Sequence, residues 1–148
     1  MKMWRWAGFA LCVVLLCASA YASAGVSTVR PGTTIVHDDF TYTVERVTAH
    51  AENSSQMYEV TLRVENRAKR VPYFWHDSIA YVVDERGRKY HPISRAALEL
   101  MAGSTARVHP RFRLPRQVRK PTMRFWDSVF MGDVFDGVQY ARTAVALY

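Results

Sequence analysis

Apolar and polar residues alternate with a period of two along much of this chain. Phe40, Tyr42 and Val44 alternate with Thr41, Thr43 and Glu45, and Tyr58, Val60, Leu62 and Val64 alternate with Glu59, Thr61, Arg63 and Glu65. Successive side chains of a strand point to opposite faces, so both runs predict strands with one apolar and one wet face. Residues 79–84 form a β-branched and aromatic run, Glu85-Arg86-Gly87-Arg88 follows, and Lys89-Tyr90-His91 resumes it. The glycine supplies the positive φ that a tight turn needs, and the pattern predicts a hairpin. Val108, Phe112 and Leu114 share a parity with Ala106 and Pro110, and this strand ends at Pro115. Pro110 has no N–H to donate, so the strand must be an edge or carry an irregularity. Residues 122–126 and 138–147 are two further strand candidates. Only residues 94–101, with Ala96, Ala97, Leu98 and Leu100 between Ser94 and Gly103, predict a helix of one or two turns. About seven short strands with turn signals between them predict an all-β sandwich.

The start of the chain breaks this pattern. Lys2 and Arg5 precede an apolar run from Ala7 to Cys17, and Ala18-Ser19-Ala20-Tyr21-Ala22-Ser23-Ala24 follows. Those are the charged, apolar and small-residue regions of a secretory signal peptide. A membrane-spanning helix needs about twenty apolar residues, and this run is shorter. Residues 1–24 are therefore read as a signal peptide cut before Gly25, with a cut after Ala20 as the alternative, and residues 25–148 as one exported domain in the periplasm or outside the cell. Cys12 and Cys17 are the only cysteines and are lost with either cut. Lipid attachment at a retained cysteine is the lesser reading, because bulky Leu16 and Leu11 stand directly before the two cysteines.

The chain has 148 residues and a net charge of +7, of which the signal segment holds only Lys2 and Arg5. The exported part is thus basic and long enough to bury a core without a disulfide or metal staple. No cofactor is implied.

Several short motifs occur in a set order. Val64-x-Asn66 ends one strand, Asp84-x-x-Gly87-x-x-Tyr90 forms the hairpin, Leu98-x-Leu100-x-x-Gly103-x-Thr105 follows, and Phe112-x-Leu114-Pro115 ends another strand. This order resembles a bacterial family of exported immunoglobulin-like domains of unknown function, catalogued under a telomeric-repeat-binding-factor-like label. The resemblance covers roughly residues 34 to 148 and implies an immunoglobulin-like antiparallel β-sandwich that is exported and serves as a binding or accessory module. The family's pattern has Leu-x-Pro-Gly before the Phe-x-Leu-Pro strand, whereas Ala102 precedes Gly103 here. A turn of different shape is expected at that point. The family carries no agreed catalytic residues to transfer.

Charge supplies the leading site candidate. Arg107, His109, Arg111 and Arg113 occupy the outward parity of one strand, and Arg116, Arg119, Lys120 and Arg124 continue the series, with no acid between Met101 and Trp126. Two readings stand open. The row is a docking face for an anionic glycolipid, an acidic polysaccharide or an acidic envelope protein, nucleic acid being the least favoured partner for an exported chain. Alternatively, Glu59 and Glu65 on a neighbouring strand neutralise it across the sheet. A second candidate is Tyr73-Phe74-Trp75, since an alternating strand buries one parity only. Either Phe74 is exposed or Tyr73 and Trp75 form an aromatic surface suited to a sugar ring or partner chain, unless a loop covers them.

The remaining chemistry is sparse. His37, His50, His76, His91 and His109 have no ligand-type spacing, and no metal site is implied. There is no Gly-x-Ser-x-Gly elbow and no cysteine nucleophile. Asp127, Asp133 and Asp136 in the segment 127–137 do not match a calcium loop, and Phe130 and Phe135 suggest a loop that folds back over a sheet edge. The expectation is an exported non-enzymatic envelope module. The alternatives are a small outer-membrane β-barrel, which the arginines on its strands oppose, or an uncharacterised envelope hydrolase.

Overall fold

The computed structural model describes residues 25–126 and 140–148. The expected signal peptide and the aspartate-containing loop 127–137 lie outside the described residues.

The described residues form twelve strands, in chain order β1 (Ser27–Val29), β2 (Thr34–His37), β3 (Phe40–Glu52), β4 (Ser55–Asn66), β5 (Tyr73–His76), β6 (Ala80–Val83), β7 (Lys89–Tyr90), β8 (Ala97–Leu100), β9 (Thr105–Val108), β10 (Arg111–Pro115), β11 (Thr122–Phe125) and β12 (Thr143–Ala146). One sheet has the order β10-β4-β3-β2, with β9 also on β4. The other has the order β1-β12-β11-β6-β7, and β5 pairs with β8 in a separate ribbon. Pairing is antiparallel except for β1 on β12. Neither sheet closes on itself among the described residues, so the fold is a β-sandwich and not a barrel.

The two alternating runs supply the core from one side. Val44, Val60, Leu62, Val64, Phe112 and Leu114 are fully or almost fully buried, and Ala80, Val82, Met123, Phe125 and Val145 of the second sheet meet them. The strand count exceeds seven partly because the run from Thr105 to Pro115 is broken in the middle. Val108 pairs with Leu62 and Arg111 with Glu59, so the register continues through His109 and Pro110. Pro110 has no amide proton, yet its carbonyl accepts from the Val60 N–H at 3.1 Å. The outer side of β10 is capped locally: Arg111 O accepts from Ile93 N–H, and its N–H donates to Ser94 Oγ.

Residues 94–101 differ from expectation. Ala97–Leu100 form β8, paired residue for residue with β5 from Tyr73↔Leu100 to His76↔Ala97. The alanine and leucine content favours a helix, but four residues cannot sustain one against a waiting strand partner, and tertiary pairing overrides propensity. Asp77, almost wholly buried, secures this arrangement by accepting from Trp75 Nε1 at 3.1 Å and Ala96 N–H at 3.0 Å. Of the last strand candidate, residues 140–142 are helical and β12 begins at Thr143.

The motif residues are turn organisers. Asn66 is fully buried; its amide donates to Val71 O and Leu100 O, and its carbonyl accepts from Ala68 N–H. Asp84 accepts from the Arg86 and Arg88 N–H groups, Arg88 Nε and Tyr90 OH, closing the hairpin around Gly87 at φ +77°. Burial would raise its carboxyl pKa, but the bonds from Arg88, Arg86 and Tyr90 outweigh that and hold it at about 2. Gly103, at φ +74°, is the third residue of a turn closed by Ser104 N–H to Met101 O. A positive φ at that position alone is the requirement of a type II turn, and Ala102 occupies the place proline favours in one.

Candidate functional site

The arginine series is divided by the fold. Arg107, Arg111 and Arg113 stand exposed on the outer face of the first sheet, on strands β9 and β10 that both pair with β4. Arg124 lies on β11 in the other sheet, opposite Tyr81. Its parity alternates with buried Met123 and Phe125, so it faces outward on the far side of the sandwich, half-buried, with a buried Nε that has no hydrogen-bond partner among the described residues. A single face from Arg107 to Arg124 is therefore not formed.

Cross-strand neutralisation occurs, but with other acids than those expected. The β3–β4 register slips between Val44 and Arg46, so that Glu45 and Arg46 together oppose Thr61. Glu45 reaches the outer face by the alternation of β3 itself, and the bulge adds Arg46 beside it. Glu45 accepts from Arg107 Nε at 2.7 Å and lies 3.4 Å from Arg63 Nε. The Arg107 hydrogen bond, with the charges of Arg107 and Arg63, lowers the Glu45 pKa despite some desolvation. Arg113 pairs with Glu52 at 3.4 Å. Glu65 instead accepts from Thr41 Oγ1, and Glu59 faces Arg111 in register without an ion pair. Thr34, Thr43 and Arg63 continue the outer network through Thr34–Thr43 and Arg63–Thr43 hydrogen bonds. Such exposed pairs contribute little stability singly, yet they leave the strand row close to electrically balanced.

The remaining cations form a different group. Arg116, Arg119 and Lys120 are all exposed within the turn between β10 and β11, and none makes an ion pair among the described residues. The Arg116 N–H reaches Ser54 O at 3.5 Å, which sets this turn beside the tip of the β3–β4 hairpin. His109 is exposed at the break between β9 and β10.

The aromatic surface that was one candidate reading of Tyr73 and Trp75 is not present. Both are buried, at 5% and 1% exposure, whereas Phe74 is 62% exposed. Tyr73 stacks on Phe40 and its hydroxyl meets Tyr42 OH at 2.6 Å. Facing β8 and the sandwich core, β5 has to turn its odd-numbered residues inward, and Phe74 takes the wet side. Next to Phe74 lies a groove of about 460 Å³ lined by Asp38, Asp39, Phe40, Val71, Pro72 and Phe74 among others. Sequence reading missed it because its two walls, the β2–β3 turn and the entry to β5, are far apart along the chain.

No group of three or more His, Cys, Asp or Glu side chains converges as a metal site requires among the described residues. No described helix is long and apolar enough to cross a membrane.

No family model matches the chain, and no curated protein is similar to it in sequence. Solved structures do resemble it in fold. The secreted protein MPT63 from Mycobacterium tuberculosis is 13% identical with a TM-score of 0.56, over 72% of this chain and 94% of that one. The yjhA protein from Bacillus subtilis is 13% identical with a TM-score of 0.58, over 80% and 98% of the two chains. An uncharacterized β-sandwich protein from Clostridium difficile 630 is 13% identical with a TM-score of 0.54, over 83% and 95%. These likenesses establish the β-sandwich and carry no activity with them.

Proposed function

We propose that this chain is an exported, non-enzymatic β-sandwich that acts as a binding or accessory module of the cell envelope, meeting an anionic glycolipid or polysaccharide through its basic turn. The observation that carries this reading is the contrast between two groups of cations. Arg107 and Arg113 are committed to Glu45 and Glu52, whereas Arg116, Arg119 and Lys120 stand exposed within five positions and without an ion pair among the described residues. Like charges held this close on one turn repel one another and are relieved by a polyanion. Arg111 extends the same positive region along the sheet edge, with exposed His109 beside it. The signal-type segment at residues 1–24 supports export, and intact mass of the exported form, beginning at Gly25 without Cys12 or Cys17, tests that part.

The binding test uses a sulfated polysaccharide matrix and a salt gradient. Changing Arg116, Arg119 and Lys120 to Gln is expected to lower the elution salt strongly while leaving the melting temperature unchanged. Changing Arg107 and Arg113 to Gln is expected to lower the melting temperature only slightly, because both pairs are exposed and Glu45 keeps Arg63, with the smaller effect on retention. If the turn variant is retained like the parent, the turn is not the contact and the proposal fails.

A further inference from the structure

The connection from β10 to β11 crosses from the edge of one sheet to the middle of the other, and strand register fixes what lies on either side of it. Thr122 pairs with Val83 on one flank and with Ala146 on the other. Beyond Val83 the chain enters the β6–β7 turn, which carries Arg86. Beyond Ala146 lies β1, where Val29 pairs with Val145 and Arg30 follows. Neighbouring strands are about 4.8 Å apart, so β1 and β6, which lead to Arg30 and Arg86, stand about 14 Å apart with β11 and its basic turn between them. Towards the other sheet, the Arg116 N–H lies 3.5 Å from Ser54 O at the tip of the β3–β4 hairpin.

Positive charge is continuous along this line. Arg30, Arg86, Arg116, Arg119 and Lys120 are exposed, and none makes an ion pair among the described residues. The acids beside them are mostly engaged: Asp84 is buried and holds Arg88, and Glu52 pairs with Arg113, which leaves Glu85. A single phosphate or carboxylate cannot touch cations spread this far, because an ion pair requires a separation of about 4 Å. A ligand with acid groups repeated along its length meets them in succession. The turn also offers a membrane no apolar side chain to insert, since Val118 is 4% exposed and Pro121 is buried. The Leu147 N–H bonds to Pro121 O, which sets Tyr148, 67% exposed, beside Lys120. An amphipathic ring among cations suits the face of an acidic sugar.

Resting on the proposed contact of the basic turn, we infer that its ligand is an extended acidic polysaccharide and not a lipid headgroup, lying along a band from Arg30 over Lys120, Arg119 and Arg116, with Arg86 at its side and Tyr148 stacked on one sugar ring. The turn supplies the central cations. Arg30 and Arg86 add contacts that only a ligand several sugars long reaches, so affinity grows with ligand length and falls as salt rises.

The test measures binding of the exported chain to a heparin disaccharide, a heparin decasaccharide and phosphatidylglycerol vesicles. The decasaccharide is expected to bind about a hundredfold more tightly than the disaccharide, as linked contacts do, and more tightly than the vesicles. Changing Arg30 and Arg86 together to Gln is expected to weaken the decasaccharide by about tenfold and flatten its salt dependence, with the disaccharide and the melting temperature unaffected. Tyr148→Ser is expected to weaken the decasaccharide without altering the salt dependence. A decasaccharide bound no better than the disaccharide, parent-like decasaccharide binding by either variant, or tighter binding to the vesicles than to the decasaccharide would overturn the inference and leave the turn standing as an anion contact. Failure of the turn itself shows separately, as parent-like matrix retention when Arg116, Arg119 and Lys120 are changed to Gln.

Discussion

Replacing Asn66 by Ala removes three hydrogen bonds from a side chain with 0% exposure. The stranded groups are unequal. Val71 is exposed and its carbonyl can turn to water, whereas Ala68 and Leu100 are buried at 6% and 2%. Two buried orphans at about 1–3 kcal/mol each give a loss of about 2–6 kcal/mol. For a domain of this size a mid-range loss corresponds to a fall of about 10 °C in melting temperature. Asn66→Asp provides an internal control. It keeps the acceptor for Ala68 N–H but sets a carboxylate oxygen against two carbonyl oxygens, so it is expected to be at least as destabilising at neutral pH and to recover in part in acid, where a protonated oxygen donates. Urea unfolding gives the free energies, and hydrogen exchange over residues 67–72 tests whether the loop loosens with the lost bonds. A loss below about 1 kcal/mol for Asn66→Ala, with an unchanged m-value, would refute the view that this amide organises the loop into β5 and the position of Val71.

Two further outcomes follow from the core and the hairpin. Leu62, at 0% exposure, lies between Val44 and Val108 on the central strand of its sheet, so Leu62→Ala is expected to cost about 2–5 kcal/mol in urea unfolding, and a loss in the surface range would mean the core is misassigned. The Asp84 carboxyl is held at about 2, below its ordinary 3.8, so it stabilises the fold above that ordinary value and the contribution disappears as pH falls toward 2. Thermal melts of the parent are thus expected to fall between about pH 4 and pH 2, with a smaller slope in Asp84→Asn; identical slopes would refute the assignment.

What residue order alone determined is local and periodic. Alternation at Tyr42, Val44, Val60, Leu62, Phe112 and Leu114 marked the buried face, because a strand has only two faces and water selects between them. The hairpin was legible for a similar reason, since Asp84, Gly87 and Tyr90 act within seven residues of one another. Pro110 announced its irregularity through a missing proton. The tertiary structure decided everything that depended on a neighbour distant in sequence. Residues 97–100 are a strand because β5 lies beside them, although their composition favours a helix. The parity of Tyr73, Phe74 and Trp75 was open until the core claimed the first and third. Glu45 stood on the wet face by alternation, but that it, and not Glu59 or Glu65, meets Arg107 depended on which strands flank β4. Asp38 and Phe74 share a groove only because the β2–β3 turn and the start of β5 meet at one end of the sandwich. Periodicity records which side of its own strand a residue faces, whereas sites are made by what another strand brings to that side.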